Sequence, residues 1–465
     1  MDSLPNIVLL EIFDHYLDEY QRLGCLNAWQ TLVHVCRKWR NVVFRSPCRL
    51  NLRLQCGATA PVSKIDVWPL FPIVINIDAL EIWGPWCRDN VVDALEHNDR
   101  VCQLSIFEIY SKDLEKILAA MQKPFPVLTR LELLQPRPHK ETAPINPDSF
   151  LGGSVPHLQT LCLDCVPFPG LPKLLLSATH LVDLDLQRIP YSGYISPEAM
   201  VTCLSGLTRL ESLTIVFKSP RCRPDQNSRR PPPLTRALLP VLAKLKFGGS
   251  SEYLEDLVAR IDVPLLVELA MQFFHQLIFD TPLLTQFIGR ISKFSKHDRA
   301  QAAVVLSDKA YVIFTLPQTS NGKPHILRFG ISCGQSDWQL SSLAQFCGSS
   351  FPYALIPAVE HLYIVESCFP QPRWQDDIES NQWLELFHPF TAVKCLYMSE
   401  VFEPRVVHAL QASVEAGDTE VLPALQVLFL EEPCPSGPLL EVIEKFVAAR
   451  ELSGNHISVF PWRGV

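Results

Sequence analysis

The chain has 465 residues, of which 48% are hydrophobic and 19% charged, and its net charge is −8. That length holds one extended repeat domain with a small module, or two to three compact domains. So mild a negative charge argues against general nucleic-acid binding, which wants a basic patch.

The fifteen cysteines sit in apolar runs such as Leu161-Cys162-Leu163 and Lys394-Cys395-Leu396. Met1-Asp2-Ser3 opens acidic, without the basic region of a secretory signal, so the thiols read as reduced and the expected location is cytoplasmic or nuclear. No window reaches the roughly 18 uninterrupted apolar residues of a membrane span, so neither a membrane nor a nucleic acid is expected as partner. Prolines outnumber glycines, 39 to 19. Because proline stops helices and lacks a ladder donor, these read as punctuation between repeated elements.

In chain order, Leu4, Val8, Leu9, Ile12, Phe13, Tyr16 and Leu17 fall at helical spacing, with Pro5 tolerated in the first turn. Residues 21–27 form a loop. Trp29, Leu32, Val33, Cys36, Trp39, Val42 and Val43 recur at three and four, which predicts a second helix closed by Ser46-Pro47. Two such helices in under fifty residues cannot bury both faces alone and need a partner. Leu4-Pro5, Leu9, Ile12-Phe13 and Val35-Cys36-Arg37-Lys38-Trp39-Arg40 resemble the F-box pattern, with Ile7 where many members carry Glu. The resemblance implies that Leu4, Pro5, Leu9, Ile12, Val35 and Trp39 lie near a Skp-type adaptor of a cullin scaffold. The alternative is that these helices only cap the remainder of the chain, since solenoids need end caps.

From about residue 71 an apolar-x-x-Leu-x-apolar unit recurs. Examples are Ile77-x-x-Leu80-x-Ile82, Leu131 followed by Leu133, Leu161 by Leu163, Leu184 by Leu186, Leu362 by Ile364, Leu396 by Met398 and Leu428 by Leu430. Steps between the fourth-position leucines run from 23 residues (Leu161 to Leu184) to 32 (Leu213 to Leu245), an irregular leucine-rich-repeat signature. Each unit supplies a short strand, helical stretches lie between, and a proline often precedes the strand. The expected fold is an α/β solenoid. It is a leucine-rich-repeat-like curved parallel sheet with outer helices over residues 51–465, preceded by a small all-α module at 1–50. The Asn or Cys expected after each strand is replaced by Ile109, Val166, Ile189 and Val401. Two stretches break the repeat: a Pro- and Arg-rich loop at 218–236, and β-rich segments near 294–332 that predict hairpins laid onto the array.

Several phrases, among them Phe150-Leu-Gly-Gly-Ser154, Glu252-Tyr-Leu-Glu-Asp-Leu257 and Pro389-Phe-Thr-Ala-Val-Lys394, resemble a large family of F-box proteins of mushroom-forming (basidiomycete) fungi. That resemblance covers almost the whole chain. It implies a substrate-recognition subunit of an SCF ubiquitin ligase and names no target.

Chemistry has no motif here. There is no phosphate-binding Gly-rich loop, His-Glu-x-x-His or Gly-x-Ser-x-Gly, so no catalytic residue, cofactor or metal is expected and the chain reads as a non-enzyme. Cys162-x-x-Cys165 stands without a second pair and starts on a strand, where residues three apart point to opposite faces. The residues flanking each repeat leucine point away from the core. They bring Tyr363, Tyr397 and Phe429 to one register on three late strands, a docking platform for a protein target; the alternative is that residues 457–462 or a loop cover them. Asp183 and Asp185, with Glu132 and Glu268, favour a basic segment or simply solvent.

Overall fold

The computed structural model describes residues 4–22, 27–57, 70–77, 85–109, 111–135, 150–168, 170–220, 222, 224, 235–274, 281–291, 300–306, 310–316, 324–332, 336–350, 355–366, 380–417, 420–432 and 437–463. Two compact units, Met1–Ile195 and Ser196–Val465, divide the chain, and each is an α/β solenoid.

The first unit opens with three helices, α1 (Asn6–Arg22), α2 (Trp29–Val35) and α3 (Arg37–Arg45). The single second helix expected from the spacing is interrupted at Cys36. Its backbone is extended, and its sulfur accepts the N–H of Trp39 at 3.5 Å, so one residue ends α2 and caps α3. Then come β1 (Leu54–Cys56), β2 (Ile73–Ile77), α4 (Pro85–Leu95), β3 (Val101–Ile106), α5 (Ser111–Ala120), β4 (Arg130–Leu134), β5 (Thr160–Asp164), α6 (Leu171–Leu175) and β6 (Asp183–Ile189). The six strands pair in parallel, in chain order. Period-two alternation sets one buried row across them: Cys56, Ile75, Leu104, Leu131, Leu161 and Leu184. Each such side chain contributes about 1.5–3 kcal/mol of burial.

The register corrects the first repeat. Ile75, not Leu80, stands opposite Leu104; Leu80 and Ile82 lie outside the described residues. The run Ile73-Val74-Ile75-Asn76-Ile77 is buried except at Asn76 and has no leucine at the marker position, which is why the motif slips five residues downstream.

Departure from β3 and β5 uses backbone instead of an Asn side chain. Glu108 (φ 56°) and Cys165 (φ 60°) are left-handed, each two residues past the last core side chain of its strand, and Arg188 (φ 47°) is left-handed within β6, just before the buried Ile189. Each costs about 1–2 kcal/mol, so the surrounding repeat holds them there.

The second unit begins with α7 (Pro197–Leu204), capped by Ser196, whose hydroxyl accepts the Ala199 N–H. Its strands are β7 (Ser212–Phe217), β8 (Ala237–Leu238), β9 (Lys244–Gly249), β10 (Ile261–Asp262), β11 (Glu268–Phe274), β12 (Ala300–Leu306), β13 (Ala310–Leu316), β14 (His325–Ser332), β15 (Val359–Glu366), β16 (Cys395–Met398), β17 (Val427–Glu431) and β18 (Ser458–Trp462). Between them lie α8 (Ser251–Val258), α9 (Pro282–Arg290), α10 (Ser336–Gln345), α11 (Ser380–Phe387), α12 (Glu403–Glu415) and α13 (Pro438–Leu452). β8 and β10 form a separate parallel pair. Of the Pro- and Arg-rich stretch, residues 221, 223 and 225–234 lie outside the described residues.

The β-rich interruption is part of the ladder and does not lie on top of it. The strand order runs β7-β9-β11-β14-β13-β12-β15-β16-β17-β18. β12, β13 and β14 pair antiparallel, β14 runs parallel to β11, and β12 runs parallel to β15. The first and third strands of a meander point the same way, so three strands enter a parallel ladder without reversing it. A second buried row extends from Leu245 and Leu269 through Leu327, Phe314 and Ala302 to Leu362, Leu396 and Leu428.

The apolar tail at residues 457–462 is the final rung of the ladder, with β18 parallel to β17. The Ser458 N–H donates to the Gln426 carbonyl, and the Trp462 carbonyl accepts the Glu432 N–H, both at 2.9 Å. Ser458, Phe460 and Trp462 therefore turn their backbone groups to β17, while Val459 and Pro461 turn theirs to the open edge.

Candidate protein-binding surfaces

In the first unit the helical module carries two apolar stripes. Leu9, Phe13 and Leu17 recur every four residues and are buried. Phe13 meets the Trp39 ring edge-on at 4.8 Å, which packs α1 on α3. The module in turn grips the strands behind it: the Trp29 indole N–H donates to the Arg53 carbonyl at 2.8 Å, and its ring stands edge-on to Phe71 at 5.3 Å. The Asn27 side-chain oxygen accepts the Gln55 N–H at 3.1 Å, and Arg49 pairs with Glu11.

The other stripe, Leu4, Val8 and Ile12, also recurs every four residues but faces out, with Ile7 exposed beside it; Val35 at the end of α2 is exposed as well. Ile12 is 48% exposed and Val35 50%. Leu4 and Pro5 are held in place although exposed: the Lys38 ammonium donates to the Leu4 carbonyl at 2.7 Å, and the Pro5 carbonyl accepts the N–H of Val8 and of Leu9. Of the six residues the F-box pattern assigns to an adaptor surface, Leu4, Pro5, Ile12 and Val35 are exposed and Trp39 is half-buried. Leu9 is 1% exposed. The helical period turns it inward beside Phe13, where it supports the outer stripe without forming part of it. Ile7 and Val8 join the exposed set; their apolar character at the head of the helix was the available signal.

The open face of the first unit's strands is acidic around one thiol. Cys162 is flanked across the strands by Glu132 and Asp185. Its thiol is pushed far above its ordinary range, first by burial and then by Asp185, Glu132, Asp164 and Asp183. Burial and carboxylates of this kind disfavour the thiolate, the form that attacks and ligates. Glu132 is held by Arg130 at 2.9 Å and by the Ser105 hydroxyl at 2.6 Å, and Arg188 reaches both oxygens of Asp164, at 2.6 and 2.7 Å. Asp183 and Asp185 stand in adjacent rows of the same face, both half-buried.

In the second unit Tyr363, Tyr397 and Phe429 share one register row. Their rings stack at 4.2 Å and 11°, then at 4.3 Å and 1°. Phe460 continues the row on β18, tilted 32° from Phe429 and 50% exposed. Trp462 leans across the ladder, 5.7 Å from Tyr397 at 67° and 6.2 Å from Tyr363 at 56°. All three predicted aromatics are half-buried, so the last strand covers the row in part. Burial, then the neighbouring Tyr363 and Cys395, pushes the Tyr397 phenol up to about 12, and its hydroxyl lies 3.4 Å from His361 Nδ1. The sequence pattern hides Phe460 and Trp462 because Pro461 argues against a strand.

Among the described residues, no group of three or more His, Cys, Asp or Glu is placed to hold a metal ion, and no helix is long and apolar enough to cross a membrane.

No protein-family model matches the chain, and no curated protein matches it. Among solved structures, the leucine-rich repeat-containing protein LegL7 from Legionella pneumophila is similar at 14% identity, over 88% of this chain and 99% of that one, with a TM-score of 0.27.

Proposed function

We propose that this chain is the recognition subunit of an SCF-type ubiquitin ligase. Its helical module docks a Skp-type adaptor on a cullin scaffold, and the open face of its strands holds a protein target. The observation that carries the reading is the outward stripe Leu4, Ile7, Val8 and Ile12, with Val35 also exposed on the same module, whose inward stripe is already buried. Contiguous exposed apolar side chains on a folded surface mark an interaction site. The fungal F-box phrases in the sequence support the same partner. No residue here does covalent chemistry; the contribution is positioning, a raised local concentration of target next to the transfer machinery.

The grip of Trp29 on Arg53 and Phe71 favours a second reading, in which the module only caps the solenoid. Co-purification with the Skp-type adaptor separates the two. Under the first, wild type retains the adaptor, while Ile12→Asp, a change at an exposed position that leaves the melting temperature in place, weakens retention by about tenfold or more. Absence of adaptor from both proteins leaves the cap reading standing alone, and undiminished recovery with Ile12→Asp rules out the outward stripe as the docking site.

A further inference from the structure

Along the open face of the second unit, one register row runs from cationic to aromatic. It passes from Lys246 through Ala270 to Arg328, then through Ile313 and Ala303 to Tyr363, Tyr397, Phe429 and Phe460. The strand-to-strand step is about 4.8 Å, so Lys246 and Arg328 stand about 10 Å apart, and Arg328 lies about 24 Å from Phe429.

The cationic end is set for an acceptor. The Arg328 guanidinium lies 3.9 Å from the centre of the Tyr311 ring, and its Nε–H is buried with no acceptor among the described residues. Lys246 is exposed, whereas Lys244 on the same strand has Glu268 at 4.0 Å. The small side chain of Ala270 between Lys246 and Arg328 leaves the row open between the two charges.

At the other end, ring geometry decides the class of partner. The inner faces of Tyr363, Tyr397 and Phe429 are closed on one another, which leaves for stacking only the outer faces at the two ends of the row. What they present outward is a strip of ring edges. Edges carry the positive part of the aromatic quadrupole and take another ring in an edge-to-face arrangement. Trp462 already sits on the strip that way, and Phe460 leaves the adjoining position half open.

We propose that this face takes an extended acidic polypeptide segment laid across the strands. Its carboxylates meet Lys246 and Arg328, and an aromatic side chain about seven residues further along packs edge-to-face at Phe429, Phe460 and Trp462. The spacing comes from the 24 Å span at about 3.3 Å per extended residue. The inference rests on the reading of the strands as the target-holding part of the chain and owes nothing to the adaptor.

The test is fluorescence anisotropy with the full-length chain, without adaptor. The probes are labelled Gly/Ser peptides of about twelve residues carrying a Glu-x-Glu pair, whose side chains share one face of an extended chain, and one Trp placed about seven or about three residues beyond it. The seven-spaced peptide is expected to bind, and raised salt to weaken it. The three-spaced peptide and a Trp→Ala version should each bind about tenfold more weakly. Lys246→Glu and Phe460→Ser, both at exposed positions, should lower affinity about three- to tenfold, with unchanged circular dichroism as the folding control. Because the peptide changes need no protein variant, the inference stays testable even where a variant fails to fold. Spacing-independent binding that survives Lys246→Glu overturns it, as does the absence of binding by any peptide, or tighter binding of an oligothymidylate. Any of these, beside normal adaptor co-purification, sinks the peptide site and leaves the adaptor reading untouched.

Discussion

Two titratable groups show how burial and not sequence motif decides chemistry at single positions. The Cys162-x-x-Cys165 spacing looks like metal or redox work, yet the Cys162 thiol is burdened by burial and four carboxylates. Glu403, at the start of α12, is the reverse case: nothing in the sequence marks it. Its carboxyl is almost fully buried, and one oxygen accepts the Glu431 N–H at 2.8 Å. Burial pushes it from its ordinary 4.5 up to about 7, with Glu400 and Glu431 adding to the rise and the backbone donor opposing it. Folded protein therefore binds more protons here than unfolded protein between those two pH values. Its contribution is intact below about pH 4.5, is lost as pH rises through about 7, and amounts to on the order of 2–3 kcal/mol. Glu403→Gln keeps an acceptor for Glu431 and carries no charge. Denaturant midpoints at pH 5 and pH 8 are expected to converge in this variant and to stay separated in wild type.

At the level of elements, the helical module was legible because its apolar spacing is strong, but spacing alone does not tell an inward stripe from an outward one. Leu9 and Ile12 look alike in the pattern; three residues of helix separate a core position from an exposed one. The break at Cys36 was hidden for a related reason, since a single extended residue barely disturbs a three-four periodicity. Strands are legible where a leucine marks the register and displaced by five residues at β2, where it does not. The module's attachment rests on few groups, with Trp29 the largest. Trp29→Ala removes the donor to Arg53 and the ring against Phe71, and should cost about 3–5 kcal/mol. Urea unfolding with hydrogen exchange on α2 and α3 checks this; a loss under about 1 kcal/mol contradicts the assigned grip.

On the scale of the whole chain, the repeat architecture was recoverable from leucine spacing, while the path through the β12–β14 meander was not. Local patterns identify three strands and two turns but not their order between β11 and β15, which depends on contacts far apart in sequence. The aromatic row was likewise legible in three of its members and in the tail that partly covers it, while its fourth member, Phe460, was lost to a proline that hides the strand. That proline has a consequence for crowding. A parallel ladder ending in an open strand is a template on which another copy can grow, rung upon rung. Of the two outward-turned backbone positions of β18, Val459 and Pro461, the second has no N–H to offer, so an incoming strand finds its donor row broken there. Pro461→Val should restore the row and make sedimentation coefficients rise with protein concentration where wild type stays constant. The residue that disguises β18 thus leaves an incoming strand one donor short at that edge.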